Sequence, residues 1–246
     1  MAGQGRGGAS LRPLASICGV SDNRQMPRDA SFRINPDELL KAYTLGYFPM
    51  ARTRFDESVV WVLPDFRGVL RLDEARAPRR LLRLLKQDPF EIRVNSRFAD
   101  VIASCAKSAK GREDTWINHA IENVYSELHA SGYAHCVECW REGRLVGGLY
   151  GLAIGRIFCG ESMFSIERDA SKIAMLHLIA RLKFNGFEIL DTQFWTPHLA
   201  QFGVKECPDT EYQVLLDRFL TTPAPFPGSN AQLSSASVLQ SITQTS

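Results

Sequence analysis

The chain has 246 residues, 45% of them hydrophobic and 23% charged, with a formal net charge of +2. That length holds one large domain, or one with a small added lobe, and the composition excludes fibrous and low-complexity classes. No apolar run reaches the ~18 residues that a membrane span needs, and a charge so near zero does not by itself point to a nucleic-acid partner.

Residues 1–30 are rich in Gly, Arg, Ser and Pro, and their first acidic residue is Asp22. With no secretory apolar run, they read as a disordered leader or an overlong start rather than a transit peptide. A helix opens after Asn35, with Pro36 in its first turn and Asp37 and Glu38 following, and ends at Gly46. Residues 47–50 and 59–64 are aromatic and β-branched, which predicts a short extended lobe over 31–67. Residues 70–87 carry Arg76, Arg79, Arg80 and Arg83 opposite Leu81, Leu82, Leu84 and Leu85 at helical spacing. Such a face is either simply solvated or a strip for phosphates.

A strand is predicted over 90–94 and helices over 97–109 and 117–130. Trp116, in the loop between those helices, suits either core packing or stacking on a base. Residues 133–140, 145–153 and 156–158 with tight turns predict an antiparallel meander. Six scattered cysteines form no disulfide framework, which favours a reduced cytoplasmic setting. Cys136 and Cys139 lie in one strand, where positions i and i+3 face opposite sides, so they make a poor metal pair. A helix over 169–185 ends at Gly186, and a strand follows over 187–190. If the strands flanking this helix are parallel, Glu161, Asp191 and Gln193 meet in one pocket. Short helices follow over 196–199 and 209–220. The remainder, 221–246, has no charged residue and reads as a disordered tail.

The motifs Gly160-Glu161-Ser162-Met163-Phe164-Ser165, Asp169-Ala170-Ser171-Lys172 and Leu190-Asp191-Thr192-Gln193-Phe194 stand in this order. With Gly46-Tyr47-Phe48-Pro49-Met50, Thr115-Trp116-Ile117 and Val146-Gly147-Gly148-Leu149-Tyr150-Gly151, they resemble the leucyl/phenylalanyl-tRNA–protein transferases over residues 34–220. The family's Gly-Gly-Asp-Leu lead-in is absent, and its Trp-Trp pair is Trp61-Val62 here.

The resemblance implies an α+β fold: a small N-terminal lobe before a GNAT-like acyltransferase core over 68–220, with a mostly antiparallel sheet flanked by helices. It implies transfer of Leu or Phe, with Met as a third candidate donor, from aminoacyl-tRNA to the N-terminal amine of proteins beginning with Lys or Arg. Those proteins are thereby marked for N-degron proteolysis. The expected enzyme is a cytoplasmic monomer with no cofactor, no metal and no membrane association.

By the same resemblance Gln193 holds the amine or the carbonyl, Asp191 orients it and accepts the proton, and Glu161 receives an amino group. Phe158, Met163, Leu178 and Leu182 are candidates for an apolar pocket with Ser165 beside them. Trp61 and Trp116 are candidates for stacking the terminal adenine. Arg76, Arg79, Arg80 and Arg83 become candidates for the tRNA backbone.

Four other readings stand beside this one. A related transferase places leucine on acidic N-termini. A thiol or hydroxyl acyl-enzyme would use Cys159 or Ser165 with His177 or His198 as base, although His177 reads as a satisfied core residue. A CoA-dependent acetyltransferase needs a pyrophosphate loop, and Arg144-Leu145-Val146-Gly147-Gly148-Leu149 fails its last position. A non-enzymatic tRNA-binding module would leave Asp191 and Gln193 idle.

Overall fold

The computed structural model describes residues 33–107, 114–226 and 233–243. In chain order its elements are α1 (Pro36–Thr44), β1 (Phe48–Met50), β2 (Val60–Val62), β3 (Phe66–Arg71), α2 (Arg79–Leu85) and β4 (Glu91–Val94). Then come α3 (Phe98–Cys105), α4 (His119–Ala130), β5 (Ala134–Arg141), β6 (Arg144–Ile154), β7 (Ile157–Ser165) and α5 (Ala170–Phe184). The last are β8 (Ile189–Asp191), α6 (Pro197–Ala200), β9 (Lys205–Pro208), α7 (Asp209–Phe219) and α8 (Ser235–Thr243). β1 and β2 pair alone, and the other seven strands form one sheet in the order β4-β5-β6-β7-β8-β3-β9. Its neighbours are antiparallel except β7 and β8, which run parallel. This is the mixed α+β architecture expected, a mostly antiparallel sheet flanked by helices. No helix among the described residues is long and apolar enough to cross a membrane.

Alternation along the strands builds a core on each face. Val69, Cys136, Cys159 and Ile189 pack with α3, α4 and Tyr212 of α7. Their neighbours Leu70, Val137, Phe158 and Leu190 pack with α5 and α8. Cys136 and Cys139 lie in opposite cores, and no group of metal-ligating residues occurs among the described residues. Leu39 and Tyr43 of α1, Phe48 of β1 and Val62 of β2 share their cluster with α3 and α4. The expected lobe boundary at 67/68 falls inside β3.

The local reasons for the elements are mostly those expected. The Asn35 side chain accepts from the backbone N–H groups of Asp37 and Glu38 at 2.8 and 3.3 Å and so caps α1. β5 turns into β6 through Glu142 and Gly143, both at positive φ, as a tight two-residue hairpin requires. Gly186, at φ 77°, ends α5.

Three expectations are corrected. Residues 70–87 are not one helix. Val69 to Arg71 pair with β8, and Pro78 restarts the chain as the seven-residue α2, so Arg76 lies outside that helix. β7 does not end at residue 158. It runs on to Ser165 through a bulge, because Tyr150 faces Ser162 while Gly151 faces Gly160, leaving Glu161 as the extra residue. The tail is partly built. Val238 and Ile242 of α8 are buried in the core beside α5, and Phe226 stacks on His135 at 4.1 Å. A few well-placed apolar residues suffice for this docking in a segment without charge. The predicted leader lies outside the described residues.

Two consequences are testable. An unpaired carboxylate in the apolar contact between α8 and α5 is costly, so Val238→Asp lowers the melting temperature far more than Gln240→Asp, which lies at an exposed position of the same helix; calorimetry on the pair checks it. A Cβ at Gly151 would sit 2.2 Å from the Cys159 carbonyl oxygen and 2.4 Å from the Phe158 ring. Gly151→Ala therefore costs about 1–3 kcal/mol through forced shifts, measured by denaturant titration.

Candidate active site

The cavity of interest exists because β8 is short. β7 pairs with β8 only as far as Cys159 opposite Asp191, then continues six residues beyond without a partner on that side. The chain after Asp191 turns aside through Gln193, held at φ 55°, a left-handed conformation uncommon for a residue with a side chain. The gap is a cavity of about 260 Å³. Leu149, Met163, Met175 and Leu178 give it an apolar wall, and Glu161, Thr192, Thr196 and His198 give it polar groups. The bulge sets the wall. Phe158 and Met163 both pack toward the α5 core although they stand five positions apart, an offset that puts two side chains on opposite faces of a regular strand.

Glu161 is buried at the inner end. Its Oε1 accepts from the Tyr43 hydroxyl at 2.7 Å and from Gln193 Nε2 at 2.8 Å. Behind it the Tyr43 and Tyr125 hydroxyls share a short hydrogen bond. Glu161 Oε2 and the Tyr150 hydroxyl are buried without a hydrogen-bond partner among the described residues. Burial pushes the Glu161 carboxyl up to about 7, against the opposing pull of the Tyr43 and Tyr125 hydroxyls.

Asp191 is fully buried, and its carboxylate is saturated. Arg67 Nε reaches its two oxygens at 3.0 and 3.1 Å, and Arg67 Nη2 reaches Oδ2 at 2.8 Å. The Tyr212 hydroxyl donates to Oδ2 and the Gln193 backbone N–H to Oδ1, both at 2.8 Å. Arg67, only 1% exposed, lies against the Phe48 and Tyr212 rings and also donates to the Gly46 carbonyl at 2.6 Å. Burial works against its charge, and Asp191 outweighs burial, so the guanidinium is held above its ordinary range.

The structure thus joins Glu161, Gln193 and Asp191 in one chain of hydrogen bonds, and places Met163 and Leu178 in the cavity wall. Phe158 and Leu182 are buried in the α5 core and do not line the cavity. Trp61 in β2 and Trp116 before α4 are half-buried against the other core, and neither lines the cavity. Ser165 donates to the Glu167 carbonyl at 2.8 Å and accepts from the Ser171 N–H at 3.1 Å, so its hydroxyl serves the start of α5. Arg76, Arg79, Arg80 and Arg83 are all exposed.

The acyl-enzyme alternative fares poorly. Burial pushes the Cys159 thiol well up, with Asp191 and Glu161 adding to the effect, so it stays protonated. His177 is buried in α5, but its Nδ1 has no hydrogen-bond partner among the described residues, contrary to the satisfied core residue expected; burial lowers it to about 4, which keeps it neutral. Sequence reasoning missed Tyr43, Arg67, Tyr125 and Tyr212. A charged Arg67 among strand-forming residues was the one available signal.

The profile of the family described as leucyl/phenylalanyl-tRNA protein transferase matches residues 69–217. A leucyl/phenylalanyl-tRNA–protein transferase of Phenylobacterium zucineum is 52% identical over 214 residues, covering 85% of this chain and 97% of the relative. Those of Maricaulis maris and Caulobacter vibrioides are 49% and 50% identical, each over 210 residues, with the same coverage. A network of buried polar groups opening into an apolar slot therefore sits in a sequence about half identical to these enzymes over 85% of its length, and the chain belongs to the leucyl/phenylalanyl-tRNA protein transferase family.

Proposed function

We propose that the protein moves leucine or phenylalanine from an aminoacyl-tRNA to the N-terminal amine of an acceptor protein beginning with Lys or Arg. The observation that carries this reading is the Glu161–Gln193–Asp191 chain ending in an apolar cavity. The reaction is aminolysis of an ester. The amine nitrogen attacks the ester carbonyl, the bond to the ribose oxygen breaks, and the proton lost by the amine ends on that oxygen, which leaves as the free hydroxyl. Holding amine and ester together can supply much of the rate.

The leucyl or phenylalanyl side chain lies against Leu149, Met163, Met175 and Leu178. At roughly 30 Å³ for each water molecule, the 260 Å³ cavity has room for it. Such a wall favours these side chains over smaller ones by about 1–3 kcal/mol per methylene. Gln193 Nε2 is committed to Glu161, which leaves Oε1 to accept from the incoming amine. Asp191 spends its oxygens on Arg67, Tyr212 and the Gln193 backbone, so it acts by fixing Gln193. Glu161 Oε2, without a hydrogen-bond partner among the described residues, receives the amine or its proton. Trp61 and Trp116 stack the terminal adenine, and Arg79 and Arg83 with Arg76 and Arg80 contact the tRNA backbone. The catalytic core is GNAT-like, preceded by a small N-terminal lobe, and the protein works as a cytoplasmic monomer upstream of N-degron proteolysis.

Transfer of radiolabelled leucine from tRNA to an Arg-initiated peptide tests the reading; no transfer overturns it. Gln193→Ala lowers kcat at least tenfold with the tRNA Kd unchanged, read from single-turnover kinetics and equilibrium binding. Asp191→Asn behaves differently because it strands a buried guanidinium. It costs about 3–5 kcal/mol of stability as well as activity, and thermal unfolding separates the two variants.

The raised Glu161 carboxyl also sets a pH dependence. Between 4.5, its ordinary value, and about 7 the folded protein keeps a proton that the unfolded chain has released. This group's contribution to stability therefore falls as pH rises through that window and is constant above it. Glu161→Gln removes the dependence. Relative to the native sequence it gains about 3 kcal/mol between pH 4.5 and 8, checked by urea titrations across that range. A difference that does not change with pH would show that Glu161 is ionised throughout.

A further inference from the structure

A second depression adjoins the cavity and shares its His198. It is about 530 Å³ in volume, open to solvent, and lies where β7 gives way to α5. Arg80, Arg168 and Lys172 line it around a nearly buried Asp169. Arg80 grips that carboxylate through bonds of 2.8 and 2.9 Å, Lys172 adds one of 2.7 Å, and Arg168 Nε stands 3.7 Å away. These partners hold the Asp169 carboxyl well below the usual carboxylate range. Glu167, the other acid of the lining, is paired with Arg141. One buried carboxylate therefore fixes three cationic groups, and the charge they present outward is positive: the Arg168 side chain is 87% exposed and that of Arg80 54%.

We propose that this depression binds backbone phosphates of the single-stranded 3′ end of the donor tRNA, just before the esterified nucleotide. The proposal rests on the aminoacyl-transfer reading of the cavity. An amino acid seated against Met163 and Leu178 brings its nucleotide chain out past His198, the residue common to both spaces. Continuity favours nucleic acid over an acidic stretch of the acceptor. Arg80 lies on α2 between Arg79 and Arg83, so positive charge runs from the cavity rim along a helix roughly 10 Å long at 1.5 Å per residue. Spaced cations along a groove are how single strands are held without regard to sequence.

The test is Arg168→Glu combined with Lys172→Gln, assayed with two donors and an Arg-initiated peptide. Leucyl-tRNA carries the phosphates, and 3′-O-leucyl-adenosine carries none. The expected result is a KM for leucyl-tRNA raised tenfold or more, a flatter salt dependence of tRNA binding, and kcat/KM for leucyl-adenosine within twofold of the native value. Equal losses with both donors mean that the change has disturbed the cavity, and they overturn the proposal. No change with either donor overturns it as well. A raised KM for the peptide with an unchanged KM for tRNA gives the depression to the acceptor and overturns it too. A native protein that uses neither donor instead removes the aminoacyl-transfer reading.

Discussion

The site depends on a buried ion pair. Arg67 and Asp191 lie on neighbouring antiparallel strands, β3 and β8, where neither charge meets water. Removing two charges from water is expensive, and the cost is offset only where geometry and further hydrogen bonds are close to complete. Here they are. Asp191 receives donors from Arg67, Tyr212 and the Gln193 backbone, while Arg67 is enclosed by two rings and bonded to Gly46. Through these bonds the pair ties together the end of α1, two sheet strands, α7 and the turn that carries Gln193. The left-handed backbone of Gln193 persists because this surrounding structure over-determines it.

The second constraint is a mismatch in strand length. β7 outlasts β8, and the sheet opens where the pairing stops. The bulge at Glu161 then does two things: it turns a carboxylate toward Tyr43 and Gln193, and it reverses the facing of every later residue of β7, which brings Met163 to the apolar wall. One extra residue thus assigns a polar side and an apolar side to the same slot. Both sides at once are what the proposed reading asks of it, one for the side chain of an esterified apolar amino acid and one for the reacting amine.

Much of this was legible in the sequence, for reasons that can be named. Period-2 alternation and turn residues gave the β5–β6–β7 meander. Asn35, Pro36 and Gly186 marked helix ends by local chemistry that does not depend on the rest of the fold. The motifs around Glu161, Asp191 and Gln193 gave the family, and parallel pairing of β7 with β8 brought those residues together as expected. What escaped was set by distance along the chain. β3 escaped, and its last two residues fell into the 70–87 stretch with helical spacing, because its partners β8 and β9 lie far away in sequence. Tyr43 and Tyr125 looked like ordinary helix residues until α1 and α4 packed beside Glu161. The docked α8 was missed because composition averages over a segment, whereas two buried side chains decide whether it binds.

The placement of β3 between β8 and β9 bears on how the molecule is made. Arg67 is synthesised 124 residues before the carboxylate that neutralises it. Growing from its N-terminus, the chain must carry an unpaired strand and a stranded cation until nearly the whole domain has left the ribosome. Contacts of such long sequence separation close late, since loop entropy must be overcome before they form. Closure of the cavity's polar network and completion of the fold are then the same event, so a shortened or stalled chain carries no partly built pocket.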